Sequence, residues 1–485
     1  MSRKISFIAL AAILGAAAGA LRLLAVPPTL PDLDSVNFAS SLSRFDLAAQ
    51  APHFPGYPLY VLSARAFRAL GFGEIHALAL PGIVLAVAAV VSLAWVASRA
   101  GTGAGLGAAA LFGFAPVAIL AGGSPTSDGA GVAALALVLA LHAGRGAGET
   151  PRGAVALGIA AALAIGIRPS LAPAVALLWA AIPAGRRLAW IAGAATGCAA
   201  WLLPMVALAG VGPFGAVASA FLAGHGGSWG GTVLSRPDLG ERLHAFGFDL
   251  FAANLALPWP GLWTAGRLLV AAGAVALVTG VVRSKPAASP GDGAALDRRM
   301  LAVALLSAIA YGLWAFVGQN LDKPRHLLPL VPAVALGAAA LLGSLRASWK
   351  APALATLGAG LLVTAIPLAL HQGRESAPGA AMALGLRDRL SPMGVMIFTG
   401  QEGKLVERYA PEFRAGRVPD PARLEAEASR LATAGVDVYV TSAAPGASLL
   451  AGELEPVERF GSCPRGVLTG CELVLYRFHP AKGSL

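Results

Sequence analysis

The sequence is poor in charge and almost without cysteine. Only 13% of its 485 residues are Asp, Glu, Lys or Arg, against 56% hydrophobic residues and a mean hydropathy of +0.70. Because soluble domains carry about 25% charged residues, this composition excludes an ordinary water-soluble fold. The sequence also lacks H-E-x-x-H, C-x-x-C, P-loop and G-x-G-x-x-G patterns in a suitable context. Zinc, ATP and dinucleotide chemistry therefore have no support.

Basic residues outnumber acidic ones, 36 against 25, which gives a formal net charge of +11. They fall in short clusters between apolar runs and form no stripe with interleaved aromatic residues. Clusters of this kind set the orientation of membrane spans, whereas a nucleic-acid surface concentrates its cations on one face. We therefore predict no nucleic-acid partner.

Long apolar runs recur along the chain, many of them sufficient to cross a hydrocarbon core. They predict a mainly α, polytopic transmembrane helical bundle of about eleven spans. The spans are expected at residues 5–26, 76–98, 103–121, 126–143, 153–167, 170–185, 188–210, 260–282, 300–318, 327–345 and 351–371. The first run is long and many others follow, so we interpret it as an uncleaved helix and not as a signal peptide.

The distribution of charge predicts the orientation. With the N-terminus inside, every even-numbered connection is cytoplasmic and carries Arg or Lys, as the positive-inside rule requires. Residues 1–371 would then form the transmembrane domain, with outer loops at 27–75 and 211–259. The composition is typical of a bacterial chain, so we expect an integral protein of the inner or plasma membrane.

Residues 372–485 predict a small α/β domain outside the membrane. The stretches "GVMIFTG", "VDVYVTSA" and "CELVLYRF" are typical of strands, and "PARLEAEASRLATAG" is typical of an amphipathic helix. Two interpretations remain open for Cys463 and Cys471, a disulfide that closes a hairpin or two unpaired thiols.

The first outer loop is unusually polar for this chain. It holds Asp32 and Asp34 in a D-x-D pattern beside an apolar surface, where a carboxylate is costly unless it is paired, solvated or metal-bound. The same pattern is typical of a helix N-cap, so a purely structural role for Asp34 remains open. The prolines of "APHFPGYPLYVL" predict a rigid, non-helical segment that presents His53 and Tyr57. An amphipathic helix suited to the membrane interface follows.

This arrangement resembles the GT-C membrane glycosyltransferases. The acidic first-loop motif, the interfacial helix and the segment "HFPGYPLY" are most similar to the protein O-mannosyltransferase-like branch, over residues 28–70. Over the other spans the resemblance is one of topology, and it does not extend to the C-terminal domain. It implies a hexosyl or mannosyl-type sugar on a polyprenyl phosphate or pyrophosphate, and a first-loop acidic residue as catalytic base. Ser35 follows Asp34 where an Asp-Glu pair is common, which leaves both Asp34 and Asp32 as candidates for the base.

Sugar transfer from a lipid phosphate also needs cationic help for the departing phosphate. The stretch "NLDKPRHLLPL" offers Lys323, Arg325 and His326 at the outer end of a span. Arg168 lies on the outer face against the positive-inside trend. We predict these four residues as ligands of the donor phosphate. Anchoring of a helix at the interface is the alternative for Arg325.

Further substrate contacts are predicted among outer-face residues. They are His53, Tyr57, Asp128, His225 and Trp229. The GT-C comparison brings Asp128 near the first-loop site, although an Asp is also favoured at any helix N-terminus. Trp229 would stack on a sugar. For His53 and Tyr57, hydrogen bonds that merely hold the first loop to the bundle are the alternative.

Metal dependence remains open, because some members of the superfamily use a metal and others do not. If a metal binds, the oxygen ligands of Asp32, Asp34 and Asp128 would suit Mg²⁺ or Mn²⁺.

Two other classes compete with a glycosyltransferase. A transporter or lipid flippase needs charged residues near mid-span and broken helices, whereas most spans here are plain at mid-depth, with Arg267 a partial exception. A non-catalytic scaffold predicts a membrane region without unusual polar residues, which the polar first loop contradicts. The sequence therefore predicts a glycosyltransferase of the cell envelope that works among membrane lipids. Its substrates would be a lipid-linked sugar donor and a protein, lipid or glycan acceptor.

Overall fold

A computed structural model describes residues 2–283, 298–343, 347–418, 420–450, 454–461 and 472–480. The expectation for Cys463 and Cys471 falls on residues outside this set.

The described chain is mainly helical. In chain order the helices are α1 (Ser2–Leu24), α2 (Leu33–Ser43), α3 (Pro58–Ala69), α4 (Glu74–Ala97), α5 (Thr102–Phe114), α6 (Pro116–Gly123), α7 (Ser127–Ala143), α8 (Pro151–Ile167), α9 (Ala172–Ala176), α10 (Arg187–Ala209), α11 (Val211–Gly224), α12 (Leu239–Gly247), α13 (Ala265–Arg283), α14 (Arg298–Gly318), α15 (Leu330–Gly343), α16 (Ala347–Arg374), α17 (Pro378–Arg389), α18 (Gly403–Tyr409) and α19 (Pro421–Thr433). The strands are β1 (Val395–Phe398), β2 (Arg414–Gly416), β3 (Asp437–Thr441), β4 (Leu454–Phe460) and β5 (Leu473–Phe478).

Each predicted span coincides with an apolar helix, but the helices differ in length. Five stretches of the described residues are long and apolar enough to cross a bilayer, namely Ser6–Leu24, Glu74–Ala100, Ala184–Ala209, Arg298–Gly318 and Ala351–Arg389. A sixth consists of α5 and α6, which bend by 55° before Pro116, a residue with no backbone N–H to continue the α5 ladder. Apolar helices of 10–17 residues stand at the other predicted positions. The polytopic helical bundle is therefore confirmed, with five or six of its spans identified by length and composition.

Small residues let these helices approach closely. α8 and α10 lie against each other where Gly158 faces Trp190 and Gly193 faces Val155. A Cβ at either glycine would run into the partner helix's backbone carbonyl, well inside van der Waals contact. Close backbone approach of this kind is how transmembrane helices gain packing energy in the absence of water. Part of the Gly and Ala content therefore has a packing role.

Asp32 starts α2. Its Oδ1 accepts the backbone N–H of Ser35 at 2.9 Å, and the Ser35 hydroxyl oxygen accepts the N–H of Asp32 at 3.0 Å. This reciprocal pair is a capping box. At the other end of α2, Arg65 of α3 donates two hydrogen bonds to the carbonyl of Ser41, at 3.0 and 2.7 Å. Both ends of α2 are thus fixed, and with them the first turn, which carries Asp34.

The C-terminal domain is built on a five-stranded sheet in the order β2-β1-β3-β5-β4. β1 is parallel to β2 and β3, whereas β5 is antiparallel to β3 and β4. α19 contributes Leu424 and Ala428 to a buried cluster with β1 and β3, and α17 and α18 contribute to a second cluster. The three predicted strands and the predicted helix are confirmed as β1, β3, β5 and α19. The short β2 and the strand β4 were not predicted.

The C-terminal domain packs directly on the first outer loop. Leu30 and Phe38 share one buried cluster with Leu386 of α17 and Val406 of α18. The backbone N–H of Leu30 donates to the hydroxyl of Tyr409 at 2.8 Å. α2 therefore lies between the helical bundle and the sheet domain, in contact with both.

Candidate functional site

A cavity of about 880 Å³ opens at the end of the bundle that faces the C-terminal domain. It lies between the ends of α1, α6 and α16, the first turn of α2, the loop after α14, and the sheet domain. Five of the predicted site residues line it, namely Asp32, Asp34, Asp128, Lys323 and Arg325. They come from three distant stretches of the sequence, so the fold brings them together.

The guanidinium of Arg325 bridges the two first-loop aspartates. Its Nη1 donates to Asp32 Oδ2 at 3.0 Å and its Nη2 to Asp34 Oδ2 at 2.9 Å. Both carboxylates are 35% exposed and Arg325 is 24% exposed, so the group is open to the cavity on one side. Burial by itself lowers the pKa of Arg325, but the carboxylates of Asp128, Asp32 and Asp34 raise it above its usual value. The bridge is therefore a fully charged ion cluster.

Asp34 is ionised and keeps one free oxygen. Burial favours its neutral form, but His53 in its protonated form, Arg325 and Lys323 lower the pKa of its carboxyl to about 2. Asp34 Oδ1 faces His53 Nε2 at 3.8 Å, beyond hydrogen-bond distance. Asp32 differs because its Oδ1 caps α2 and its Oδ2 binds Arg325. The cap that the sequence left open for Asp34 is supplied by Asp32.

The loop after α14 presents Lys323 and Arg325 through fixed neighbours. The amide of Asn254 donates to the carbonyl of Pro324 at 2.9 Å, and the Tyr311 hydroxyl donates to that of His326 at 2.7 Å. The imidazole Nδ1 of His326 lies 2.7 Å from the carbonyl of Asn320, and burial lowers the pKa of His326 to about 3. His326 is thus a neutral group that holds the loop, and it does not line the cavity. Lys323 lines the cavity and makes no ion pair with the described residues.

Arg168 and Asp128 form a buried ion pair beside the cavity. Arg168 Nη2 lies 2.8 Å from Asp128 Oδ1, with the side chains 12% and 5% exposed. Arg168 also donates to the Ser127 hydroxyl at 2.9 Å, and Thr126 donates to Asp128 Oδ2 at 3.1 Å. Only Asp128 and Thr126 of this group reach the cavity wall. The two residues predicted for different substrate groups therefore bind each other.

His53 and Tyr57 lie behind Asp34 and do not line the cavity. Both rings pack on Phe38 of α2, with centroids 5.3 and 5.1 Å away. Burial lowers the pKa of His53 and raises that of Tyr57 to about 12, so both are neutral near pH 7. Their place in the structure is that of a support for the first turn of α2.

His225 and Trp229 lie apart from the cavity. The Nε2 of His225 lies 2.8 Å from the carbonyl of Gly318, and its ring stacks on Phe221 at 5.6 Å. Trp229 packs edge-on against Phe221 and is 55% exposed.

The far wall of the cavity was not predicted from the sequence. That wall consists of the end of α16, the connection to α17, and two positions of the sheet domain. Its polar members are His371, Gln372, Arg374, Glu375, Ser376 and Gln401. The run "HQGRES" directly after the last span is the signal that could have identified them, because polar residues at a span end face either water or a site.

The three aspartates do not form a metal site. Arg325 occupies the position between Asp32 and Asp34, and Arg168 is bound to Asp128. Among the residues that the structure describes, no group of three or more His, Cys, Asp or Glu side chains is placed to hold a metal ion. Two carboxylates that share an arginine do not fit a divalent cation, which would compete with that arginine for the same oxygens. We therefore derive no step through a metal.

Comparison with solved structures shows the fold. The chain resembles ArnT from Cupriavidus metallidurans, both in a crystal structure bound to undecaprenyl phosphate and in the apo state. In each case the TM-score is 0.53 and the identity 16%, over 96% of this chain and 97% of ArnT. It also resembles the oligosaccharyltransferase of Archaeoglobus fulgidus in the apo form, with a TM-score of 0.51 and 15% identity, over 99% of this chain and 75% of the other. No protein-family model and no curated protein matches the sequence.

These neighbours are GT-C glycosyltransferases. The chain therefore has a GT-C-like fold, as the first outer loop predicted, with a transmembrane helical bundle and a C-terminal α/β domain. At 15–16% identity the likeness concerns the fold, and the function has to be argued from the site.

Proposed function

We propose that the protein is a membrane glycosyltransferase that moves a sugar from a polyprenyl-phosphate-type lipid to an acceptor at the outer face of the membrane. The observation that carries the proposal is the pair of first-loop carboxylates bridged by Arg325 in a cavity between the bundle and the C-terminal domain. This cavity combines an ionised carboxylate with cations, at the end of transmembrane helices, where a lipid headgroup lies. One of the neighbours by fold was crystallised with undecaprenyl phosphate, which supports a lipid phosphate as the donor group.

Asp34 is the base in this mechanism. Its free Oδ1 takes the proton of the acceptor hydroxyl, while the acceptor oxygen forms a bond to the anomeric carbon of the sugar. The bond between that carbon and the phosphate oxygen breaks, and the lipid leaves with the electron pair as a phosphate. Asp32 has a different role, because both of its oxygens are committed to the helix cap and to Arg325.

Arg325 and Lys323 stabilise the charge of the departing phosphate. Arg325 uses Nη1 and Nη2 for the aspartates, which leaves three of its five N–H groups for phosphate oxygens. Lys323 adds a point charge from the same loop. When the donor is bound, its phosphate binds the guanidinium of Arg325 and weakens the contact between Arg325 and Asp34. The carboxylate of Asp34 then becomes more basic. The buried pair of Arg168 and Asp128 lies beside the cavity and, as a neutral pair, adds no net charge to it.

The finer assignments rest on the first-loop segment and on the charge pattern. Residues 28–70 favour a hexosyl, mannosyl-type donor of the protein O-mannosyltransferase-like branch. The basic inner connections favour a bacterial inner or plasma membrane, a transmembrane domain over 1–371 and an extracytoplasmic domain over 372–485. Purified protein assayed with a panel of polyprenyl-linked sugars, and with protein, lipid and glycan acceptors, tests the substrate assignments.

Asp34→Asn and Asp32→Asn separate catalysis from helix capping. We expect Asp34→Asn to lower the rate of sugar transfer by about 10²–10⁴-fold, because the base is lost, with little change in thermal stability. Asp32→Asn keeps a capping side chain, so it should fold, lose one contact to Arg325 and retain measurable transfer. Radiolabelled sugar transfer and thermal unfolding of the purified variants are the two measurements.

Normal transfer by Asp34→Asn would overturn the proposed mechanism. Loss of transfer in Asp32→Asn alone would assign the role of the base to Asp32. A transporter or flippase predicts movement of lipid across proteoliposomes with no new glycosidic bond, so product analysis in the same experiment distinguishes that class.

A further inference from the structure

α12 buries its arginine and exposes two leucines, beside exposed Glu241 and His244. Arg242 is 4% exposed and donates to the carbonyl oxygens of Phe316 and Gly231, at 3.0 Å from Nε and 2.6 Å from Nη1. Leu239 and Leu243, one turn apart on the same flank of the helix, are 56% and 63% exposed. The flank of α12 that carries the two leucines therefore favours an apolar neighbour.

α11 extends this apolar surface. It carries no charged residue, and none of its residues is buried. Val211 and Leu222 are 78% and 66% exposed, and Leu234 and Trp263, which lie further along the segment, are 79% and 64% exposed. A contiguous apolar surface of this kind is rare on a protein face that meets water.

The segment 211–263 connects a candidate membrane span to a shorter apolar helix. One residue separates the candidate span Ala184–Ala209 from α11, and one residue separates Trp263 from the apolar helix Ala265–Gly280. Tryptophan is enriched where a protein meets the boundary between headgroups and acyl chains. The segment has two arginines and three acidic residues, so its charge does not favour anionic headgroups. The apolar part of the lipid is the partner that this surface fits.

Residues on the inner side of the segment contact both loops that carry the candidate site. Phe221 of α11 packs on Phe54, the residue after His53, with ring centroids 5.1 Å apart. Arg242 binds the end of α14, and Arg236 pairs with Asp322, which precedes Lys323. The segment thus contacts the first outer loop and the loop of Lys323 and Arg325.

We propose that residues 211–263 form a platform that lies in the leaflet next to the C-terminal domain, with α11 and α12 turned towards phospholipid acyl chains. Its outward side chains contact lipid, and its inward side braces the two loops that carry the candidate site. This assignment gives Trp229 a lipid contact. It stands independently of the sugar-transfer proposal, since it rests on exposure and continuity with the spans.

Thiol labelling of the full-length protein in nanodiscs tests the platform. In Leu222→Cys and Leu243→Cys, a water-soluble maleimide should react at least about tenfold more slowly than in Met393→Cys, because acyl chains suppress the reactive thiolate. Met393 is 86% exposed in the C-terminal domain and serves as the matched control. Labelling of the parent chain is subtracted, and unfolding in detergent should make all three thiols react alike. Equal rates in the folded state would overturn the proposal.

A second measurement identifies what covers the face. The fluorescence of Trp229 is obtained as the difference between the parent chain and Trp229→Phe. It should be quenched by phospholipids brominated in their acyl chains and should be insensitive to iodide in the buffer. If the thiols are protected but brominated lipid leaves this emission unchanged, the face is covered by protein, such as a second copy of the chain, and the lipid platform is wrong.

Discussion

Arg325 occupies the centre of the candidate site at the scale of single residues. The sequence suggested a phosphate ligand, and the structure shows a guanidinium already bound to Asp32 and Asp34. A carboxylate with a pKa of about 2 is a weak proton acceptor, so the same contact that fixes Asp34 in place also limits its strength as a base. A phosphate that shares Arg325 would relieve this limit at the moment of reaction.

Arg325→Gln should change both donor binding and the pH profile. Loss of a charged hydrogen-bond donor, worth about 1.5–3 kcal/mol, should raise the KM for the lipid-linked donor by about ten- to a hundredfold. The pKa of Asp34 should rise from about 2 towards or above its ordinary 3.8, because an opposing charge is lost while burial remains. The acidic limb of kcat/KM should therefore move to higher pH. Arg325→Lys, which keeps the charge, should restore part of both changes.

Unchanged donor KM and an unchanged acidic limb in folded Arg325→Gln would remove this residue from the site. Thermal unfolding of each variant is the control for folding.

At the scale of single helices and strands, hydrophobic patterns are sufficient to predict some elements and not others. The long spans and the strands β1, β3 and β5 follow from apolar runs. The connection 211–259 was expected as an outer loop, yet it contains α11 and α12, and both helices expose apolar side chains. The expected span 103–121 bends at Pro116. The bend follows from Pro116, and the exposed apolar residues of α11 and α12 are the ones that the proposed lipid platform explains.

Gly193→Ala should destabilise the bundle, because the added Cβ would meet the carbonyl of Val155 on α8. We expect a cost of about 1–3 kcal/mol from overpacking and a lower melting temperature in detergent. Gly215→Ala on α11 is the matched control, since a Cβ there meets nothing within 4 Å. That change should be neutral or stabilising, because Ala is the better helix former. Equal stability of the two variants would contradict the close contact between α8 and α10.

At the scale of the whole molecule, the first outer loop lies between the helical bundle and the C-terminal domain and contacts both. Leu30 stands just before the capped start of α2, is buried, and donates to Tyr409 of the sheet domain. The C-terminal domain therefore has a part in placing Asp34 as well as in lining the cavity. The sequence alone left the role of this domain open.

Tyr409→Phe tests the coupling between the domains. The change leaves the buried N–H of Leu30 without a partner, a cost of about 1–3 kcal/mol. We expect a lower kcat for sugar transfer with a smaller effect on the donor KM, because the first turn of α2 is displaced while Lys323 and Arg325 remain. Tyr476→Phe is the control, since that hydroxyl makes no hydrogen bond with the described residues. Equal kcat in the two variants would show that the Tyr409 contact does not position the site.

Membrane topology can be tested on the whole chain. A reporter fused after Gln372 should be active only outside the cytoplasm, because the basic connections predict that the final span ends on the outer face. A cytoplasmic reporter would contradict both the topology and the outer-face site. A fusion in the connection near Arg145 is the control and should report from the cytoplasm.

The sequence by itself determined the membrane class, the positions of the apolar helices and the α/β character of the C-terminal domain, and it predicted a site in the first outer loop. These properties depend on local composition and period, since a span or a strand is recognised from its own residues. Only the tertiary structure decided that Asp32 caps α2 and leaves Asp34 free, that Arg325 bridges them, and that Arg168 and Asp128 pair with each other. It also decided that the end of α16 and the sheet domain close the cavity. Charges that are nearly 300 residues apart meet only when helices pack, and packing depends on side-chain contacts that no local pattern contains.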